Sequence, residues 1–142
     1  MNLKRCLVFV ALLLSCFSGC ETSNLPKTVP AEGVITLDGE KVSEATILLI
    51  ADKGSINADA VSDKDGKFKL KAFAEKGGAV PGSYRVLISK TINEAGVGKN
   101  GESGVNLKYG LPKKYSDVMT SGLTYTLGQD GDKNMKFDLV TK

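Results

Sequence analysis

Lys64, Lys67, Lys69 and Lys71 crowd one short stretch, interleaved with Phe68 and Leu70. Strict alternation is the period of a β-strand, so Phe68 and Leu70 face a core while the lysines face water. Ammonium groups gathered in this way are suited to polyanions, such as an acidic polysaccharide or lipid head groups. The plainer reading of the same pattern is a solvated outer face, or an edge strand blunted by lysines. Asp63-Lys64-Asp65-Gly66 opens like a calcium loop. Such a loop needs an acidic residue six places after the glycine. Position 72 is Ala, which favours a hairpin whose Asp side chains accept backbone N–H bonds. Only Asp52 or Asp59, approaching in space, would restore a calcium site. No metal and no cofactor is expected.

Catalytic chemistry has little to draw on. The 142 residues contain no His and no Trp. Without imidazole there is no Ser-His-Asp or Cys-His machinery and no His-ligated zinc. No Gly-x-Ser-x-Gly is present, and nothing marks a serine beside a buried lysine. The expectation is a protein that is not an enzyme. Tyr84, Tyr109, Tyr115 and Tyr125 are candidates for a sugar-stacking platform, but Tyr84 and Tyr125 fall in strand-like segments and read as core or rim. Lys113-Lys114-Tyr115 is a shorter basic-aromatic patch, read as a loop that packs Leu111 and Tyr115 onto the domain.

The three cysteines, Cys6, Cys16 and Cys20, all lie near the start. Lys4 and Arg5 precede an apolar run from Leu7 to Leu14, and small residues follow. That order is a secretory signal peptide, and the run is shorter than the ~20 residues of a bilayer-spanning helix. Ser18-Gly19-Cys20 resembles the lipobox of bacterial lipoproteins, although Phe17 stands where Leu is usual. The resemblance implies cleavage before Cys20 and lipidation of that cysteine. Leu13-Leu14-Ser15-Cys16 is the alternative. Cleavage at Cys20 takes the side-chain charge from +3 to +1, so nucleic acid is not an expected partner. It also leaves no second cysteine, hence no internal disulfide. Residues 1–19 are therefore read as a signal peptide. Residues 20–30, polar and with Pro26 and Pro30, are read as the lipidated cysteine and a tether.

From residue 31 the elements are strands. Val34–Leu37 leads into Asp38-Gly39, a strong hairpin signal. Thr46–Ile50 is a continuous apolar run. Asp59–Ser62, Lys67–Lys71, Ser83–Ile88, Leu123–Leu127 and Met135–Val140 complete about seven short strands divided by turns. No stretch has a helical period. Residues 91–108, with Gly96, Gly98, Gly101 and Gly104, read as a long loop. The pattern predicts an all-β, seven-stranded antiparallel β-sandwich over residues 31–142.

Gly33–Val42, Ala45–Ile50, Ser62-Asp63-Lys64-Asp65-Gly66-Lys67-Phe68 and Pro81-Gly82-Ser83-Tyr84-Arg85-Val86 resemble the successive strands and turns of carboxypeptidase regulatory-like domains. That resemblance implies a transthyretin-like (prealbumin-like) sandwich. Leu111–Asp117, Ser121-Gly122-Leu123 and Phe137-Asp138-Leu139 are similar to segments of a narrower set of bacterial lipoproteins carrying this domain. Val42 stands where Pro is common and Glu44 where Gly is common. Hydrolases of purine breakdown products share the fold but depend on histidines and a C-terminal tetrapeptide that are missing here. Related adhesin domains form Lys–Asn isopeptide bonds, roles in which Lys41, Asn134 and Glu44 are the candidates. The resemblance implies an architecture and an envelope location without an activity. The function expected is that of a lipid-anchored, non-catalytic binding or structural module docking another envelope protein, with carbohydrate or polyanion binding as the alternative and an unrecognised hydrolase as the remote one. Glu21 rather than Asp follows Cys20, which points to the outer membrane.

Overall fold

Asp38 and Gly39 take φ of +50° and +89°, the pair of left-handed residues of a type I′ turn. They reverse the chain between β1 (Ala31–Leu37) and β2 (Glu40–Lys41). The computed structural model describes residues 25–53, 56–97 and 103–142. The segment read as a signal peptide, residues 1–19, and Cys20 lie outside the described residues. The remaining strands are β3 (Thr46–Ala51), β4 (Ala58–Val61), β5 (Lys67–Lys69), β6 (Lys71–Phe73), β7 (Lys76–Gly77), β8 (Gly82–Ser89), β9 (Thr91–Val97), β10 (Ser103–Tyr109), β11 (Leu123–Leu127) and β12 (Asp132–Leu139). A single 3-10 turn, Lys113–Ser116, is the helical element among the described residues.

One sheet runs β11-β8-β3-β4-β6-β7, antiparallel at each paired step. In the other, β1 is flanked on one side by β12. On its other side lie β2 near its C-terminal end and β5 near its N-terminal end. Alternation explains which faces meet. Ala31 and Ile35 of β1, Phe68 of β5, and Met135, Phe137 and Leu139 of β12 are buried. They join Ile47, Leu49, Ala58, Ala60, Tyr84, Val86 and Ile88 of the larger sheet in one core. Phe68 stacks on Phe137 with ring centroids 5.6 Å apart, and Tyr125 meets Phe137 edge-on at 5.9 Å. The result is an all-β, sandwich-like arrangement.

Each of the seven segments read as strands contains one, and three readings are corrected. First, the chain is not antiparallel throughout, because β1 and β12 pair in parallel. β11 ends in the larger sheet, and the chain then crosses to the smaller one, where β12 runs alongside β1 in the same direction. Second, Lys67–Lys71 is not one strand. Leu70 is buried between β5 and β6, and its N–H bonds Ala31 O at 2.8 Å while β6 passes to the larger sheet. Third, the expected loop over residues 91–108 holds two strands among its described residues. β9 and β10 form a hairpin with seven successive register pairs, from Thr91–Tyr109 to Val97–Ser103. The glycines hid a run whose backbone groups pair with each other.

The start of the domain also reaches into the expected tether. Val29 is buried and exchanges two backbone hydrogen bonds with Ala79, at 2.9 and 3.0 Å. An apolar residue between two prolines thus docks on the sandwich, while Leu25, Pro26 and Lys27 stay exposed.

Candidate functional site: a lysine-walled groove on the smaller sheet

The outward face of the smaller sheet is built in rows across β1. Val34 lies in register with Lys67 of β5 on one side and Lys136 of β12 on the other. One step toward the N-terminus, Glu32 is opposite Lys69. On its other side the β12 register jumps from Asp132 to Met135, so Glu32 faces two residues, Lys133 and Asn134. This is a bulge, and an extra residue of that kind re-aims the side chains of its strand. One step the other way, Thr36 lies between Lys41 and Asp138, and its hydroxyl donates to Asp138 Oδ1 at 2.7 Å.

These rows frame a groove of about 500 Å³. Lys67 and Lys69 form one wall, and Lys133 and Lys136 the other. Val34 and the Gly33 backbone contribute its floor, with the buried Phe68 and Met135 beneath, and Val61 its apolar rim. Gly33 is required there. A Cβ on it would lie 2.3 Å from Met135 O and 2.7 Å from both Met135 Cβ and Phe68 Cζ, so the ring and the neighbouring strand close directly over the β1 backbone. Val61 is 62% exposed, an apolar side chain left at the groove edge.

The electrostatics are uneven. Four lysines face two carboxylates, Glu32 and Asp63. Asp63 is committed to its own turn, since Oδ1 accepts from Asp65 N and Lys67 N, both at 2.9 Å. The Asp63-Lys64-Asp65-Gly66 segment is thus the hairpin expected, and no group of three metal-ligating side chains occurs among the described residues. Glu32 pairs with Lys69 at 3.4 Å. Lys67, Lys133 and Lys136 have no side-chain partner among the described residues. Three ammonium groups are therefore free beside an apolar floor.

The end of β11 and the start of β12 hold the bulge in place. Asp132 accepts a short hydrogen bond from the Tyr125 hydroxyl, and Asn134 N donates to Asp132 Oδ1 at 2.7 Å. Burial of the phenol, then its bond to the carboxylate, pushes Tyr125 up to about 12. The same bond holds Asp132 below the ordinary carboxylate value. Tyr84 is also raised, by burial.

The lysines singled out in the sequence are dispersed by this topology. Lys67 and Lys69 line the groove, Lys64 is exposed in the turn, and Lys71 lies on β6 in the other sheet, opposite Asp59. Lys133 and Lys136 were missed. Lys136 alternates visibly with Met135 and Phe137, but Lys133, three residues earlier, shares its face only through the bulge, and only the parallel β1–β12 pairing sets both across from Lys67 and Lys69. The tyrosines form no platform. Tyr84 and Tyr115 are buried, Tyr125 is half-buried, and Tyr109 is exposed with Lys113 Nζ 5.7 Å from its ring centre. Tyr115 and Leu111 pack onto the domain as expected, with the Tyr115 hydroxyl donating to Val140 O at 3.1 Å. Lys41 is exposed and pairs with Asp65 at 3.7 Å, while Asn134 lies across β1 from it. Among the described residues no helix is long and apolar enough to cross a membrane.

No protein-family model matches the chain, and no curated protein matches it. Among solved structures, a 9R-lipoxygenase from Cyanothece PCC8801 is similar at 12% identity with a TM-score of 0.30. All of this chain is covered, and it spans 20% of the length of that one.

Proposed function

We propose that this chain is an exported lipoprotein, lipidated on Cys20 and held at the outer membrane by the short segment that follows. Its domain is a seven-stranded, transthyretin-like sandwich of the carboxypeptidase regulatory-like kind, to which the short β2, β6 and β7 and the β9–β10 hairpin are added. It works without catalysis, as a binding module for an acidic polysaccharide of the cell envelope. One observation carries the choice of ligand: Lys67, Lys133 and Lys136 stand unpaired around an apolar-floored groove. A saccharide presents both an apolar ring face and, when acidic, a charge at intervals. Floor and walls answer those two features together. The lack of histidine and the commitment of Asp63 to its turn support a role without bond-breaking chemistry.

A second reading, docking of another envelope protein, has its own observation. The outer edge of β12 is unpaired among the described residues, and such edges accept an added strand. Lys133 and Lys136 on that strand are the kind of residue that blunts an edge, which places this reading second.

The test uses the full-length, detergent-solubilised protein with polygalacturonate and neutral dextran as probes. Polygalacturonate is expected to bind, neutral dextran to bind far less, and binding to weaken as salt rises, because exposed charges are screened. Lys67→Gln and Lys136→Gln should each reduce affinity about fivefold, the worth of one exposed charge pair of about 1 kcal/mol. In cells, Cys20→Ala should release the protein from the membrane fraction. Salt-insensitive binding, or equal binding of neutral dextran, would refute the ligand class. A Cys20→Ala protein that stays on the membrane would refute the anchor.

A further inference from the structure

We infer that Glu32 is the specificity-determining residue of the lysine groove, selecting a lightly charged, hydroxyl-rich acidic glycan and rejecting densely sulfated or phosphorylated chains. This deepens the reading above and rests on it. Glu32 sits inside the groove, between Lys69 and the Lys133–Asn134 bulge, on the strand that forms its floor. Its carboxylate divides the walls into two unlike halves. Around Val34, Lys67 and Lys136 offer two unpaired ammonium groups. Around Glu32, the carboxylate pairs with Lys69 at 3.4 Å and cancels its charge, which leaves Lys133 as the one unpaired ammonium group of this half.

Strand geometry scales the two halves. Adjacent strands lie ~4.8 Å apart, so the backbones bearing Lys67 and Lys136 stand ~10 Å apart across β1. The step from the Val34 row to the Glu32 row is two residues, ~6.7 Å. A linear glycan lying along β1 thus meets two unpaired cations at one step, and at the next a single unpaired cation, Lys133, beside the Glu32–Lys69 pair. An ionised carboxylate only accepts hydrogen bonds. It therefore welcomes sugar hydroxyls, and it repels a second anion. A uronic-acid chain leaves hydroxyls free next to each carboxylate. A sulfated chain replaces those donors with further negative charge, and Glu32 then opposes it.

The experiment compares full-length wild type, Glu32→Gln and Asp138→Asn, each titrated with oligogalacturonate and with dextran sulfate. Asp138 lies on the same sheet face one row beyond Val34 and outside the groove, so its variant reproduces the change in net charge alone. Glu32→Gln is expected to tighten dextran sulfate at least fivefold and to leave oligogalacturonate unchanged or weaker. Asp138→Asn is expected to shift both probes by one small common factor. Equal tightening of both probes by Glu32→Gln, or an Asp138→Asn variant that behaves identically to it, overturns the role of Glu32 while leaving the groove reading intact. Wild type that binds neither polymer overturns both readings.

Discussion

The buried Ser62 hydroxyl makes two hydrogen bonds, and removing it should be costly. The residue is 4% exposed. Its Oγ donates to Val42 O at 2.7 Å and accepts from Ala45 N at 2.9 Å. Its backbone adds two more links, Ser62 N to Ala45 O at 2.9 Å and Glu44 N to Ser62 O at 3.0 Å. Ser62 thus ties the β2–β3 turn to the strand end that leads into the groove rim at Val61 and Asp63. Ser62→Ala strands one carbonyl and one N–H, each worth about 1–3 kcal/mol when left unsatisfied in the interior. Slight opening of the turn to water recovers some of this, so the expected loss is about 3 kcal/mol. Against a domain stability of about 5–15 kcal/mol that is a large fraction. With an m-value near ~2 kcal/mol/M, the urea midpoint should fall by about 1.5 M. Unfolding is followed by far-UV circular dichroism, since the chain has no Trp. Thr126→Ala, which removes an exposed 3.4 Å contact with Ser83, serves as control and should stay within about 0.5 kcal/mol. A Ser62→Ala variant less than 1 kcal/mol weaker, at unchanged m, would mean that backbone pairing alone holds this turn.

Two further outcomes are expected. Glu44 has φ +54°, a conformation that is costly for any residue with a Cβ, at the position where the resembling family commonly has Gly. Glu44→Gly should raise stability by about 0.5–1 kcal/mol in the same urea assay, and a loss of stability would show that the side chain holds the turn by other means. Tyr125, held at about 12, binds its proton more tightly folded than unfolded. Its contribution to stability is fully present below about pH 10, the unfolded phenol value, and fades between there and about 12. Asp132, lowered by the same bond, contributes above the unfolded carboxylate value and loses that contribution as pH falls through its folded one. Absorbance titration of the four tyrosines should show a step near 12 that Tyr125→Phe abolishes, and the variant should flatten the acid limb of the stability profile. A step that survives the substitution belongs to another tyrosine.

The strands were legible because alternation is a local signal. Lys67–Lys69 and Met135–Leu139 carry their inward and outward faces in consecutive residues, and burial of Phe68, Met135, Phe137 and Leu139 follows from hydrophobicity alone. Asp38-Gly39 and the Asp63–Gly66 turn were legible for the same reason, since their geometry needs only their own side chains and φ angles. The β9–β10 hairpin was not, because glycines at Gly96 and Gly104 read as loop while backbone pairing is indifferent to side chains. The groove lies beyond local signals altogether. Lys67 and Lys136 are far apart in sequence, and they face each other across Val34 only because β12 adds to β1 in parallel and a bulge resets its register. Strand partner, direction and register are settled by competition among long-range pairings for one core. The residue types in this chain thus set its alternating faces and its charges, and the tertiary structure alone decided that three of those charges would share one opening.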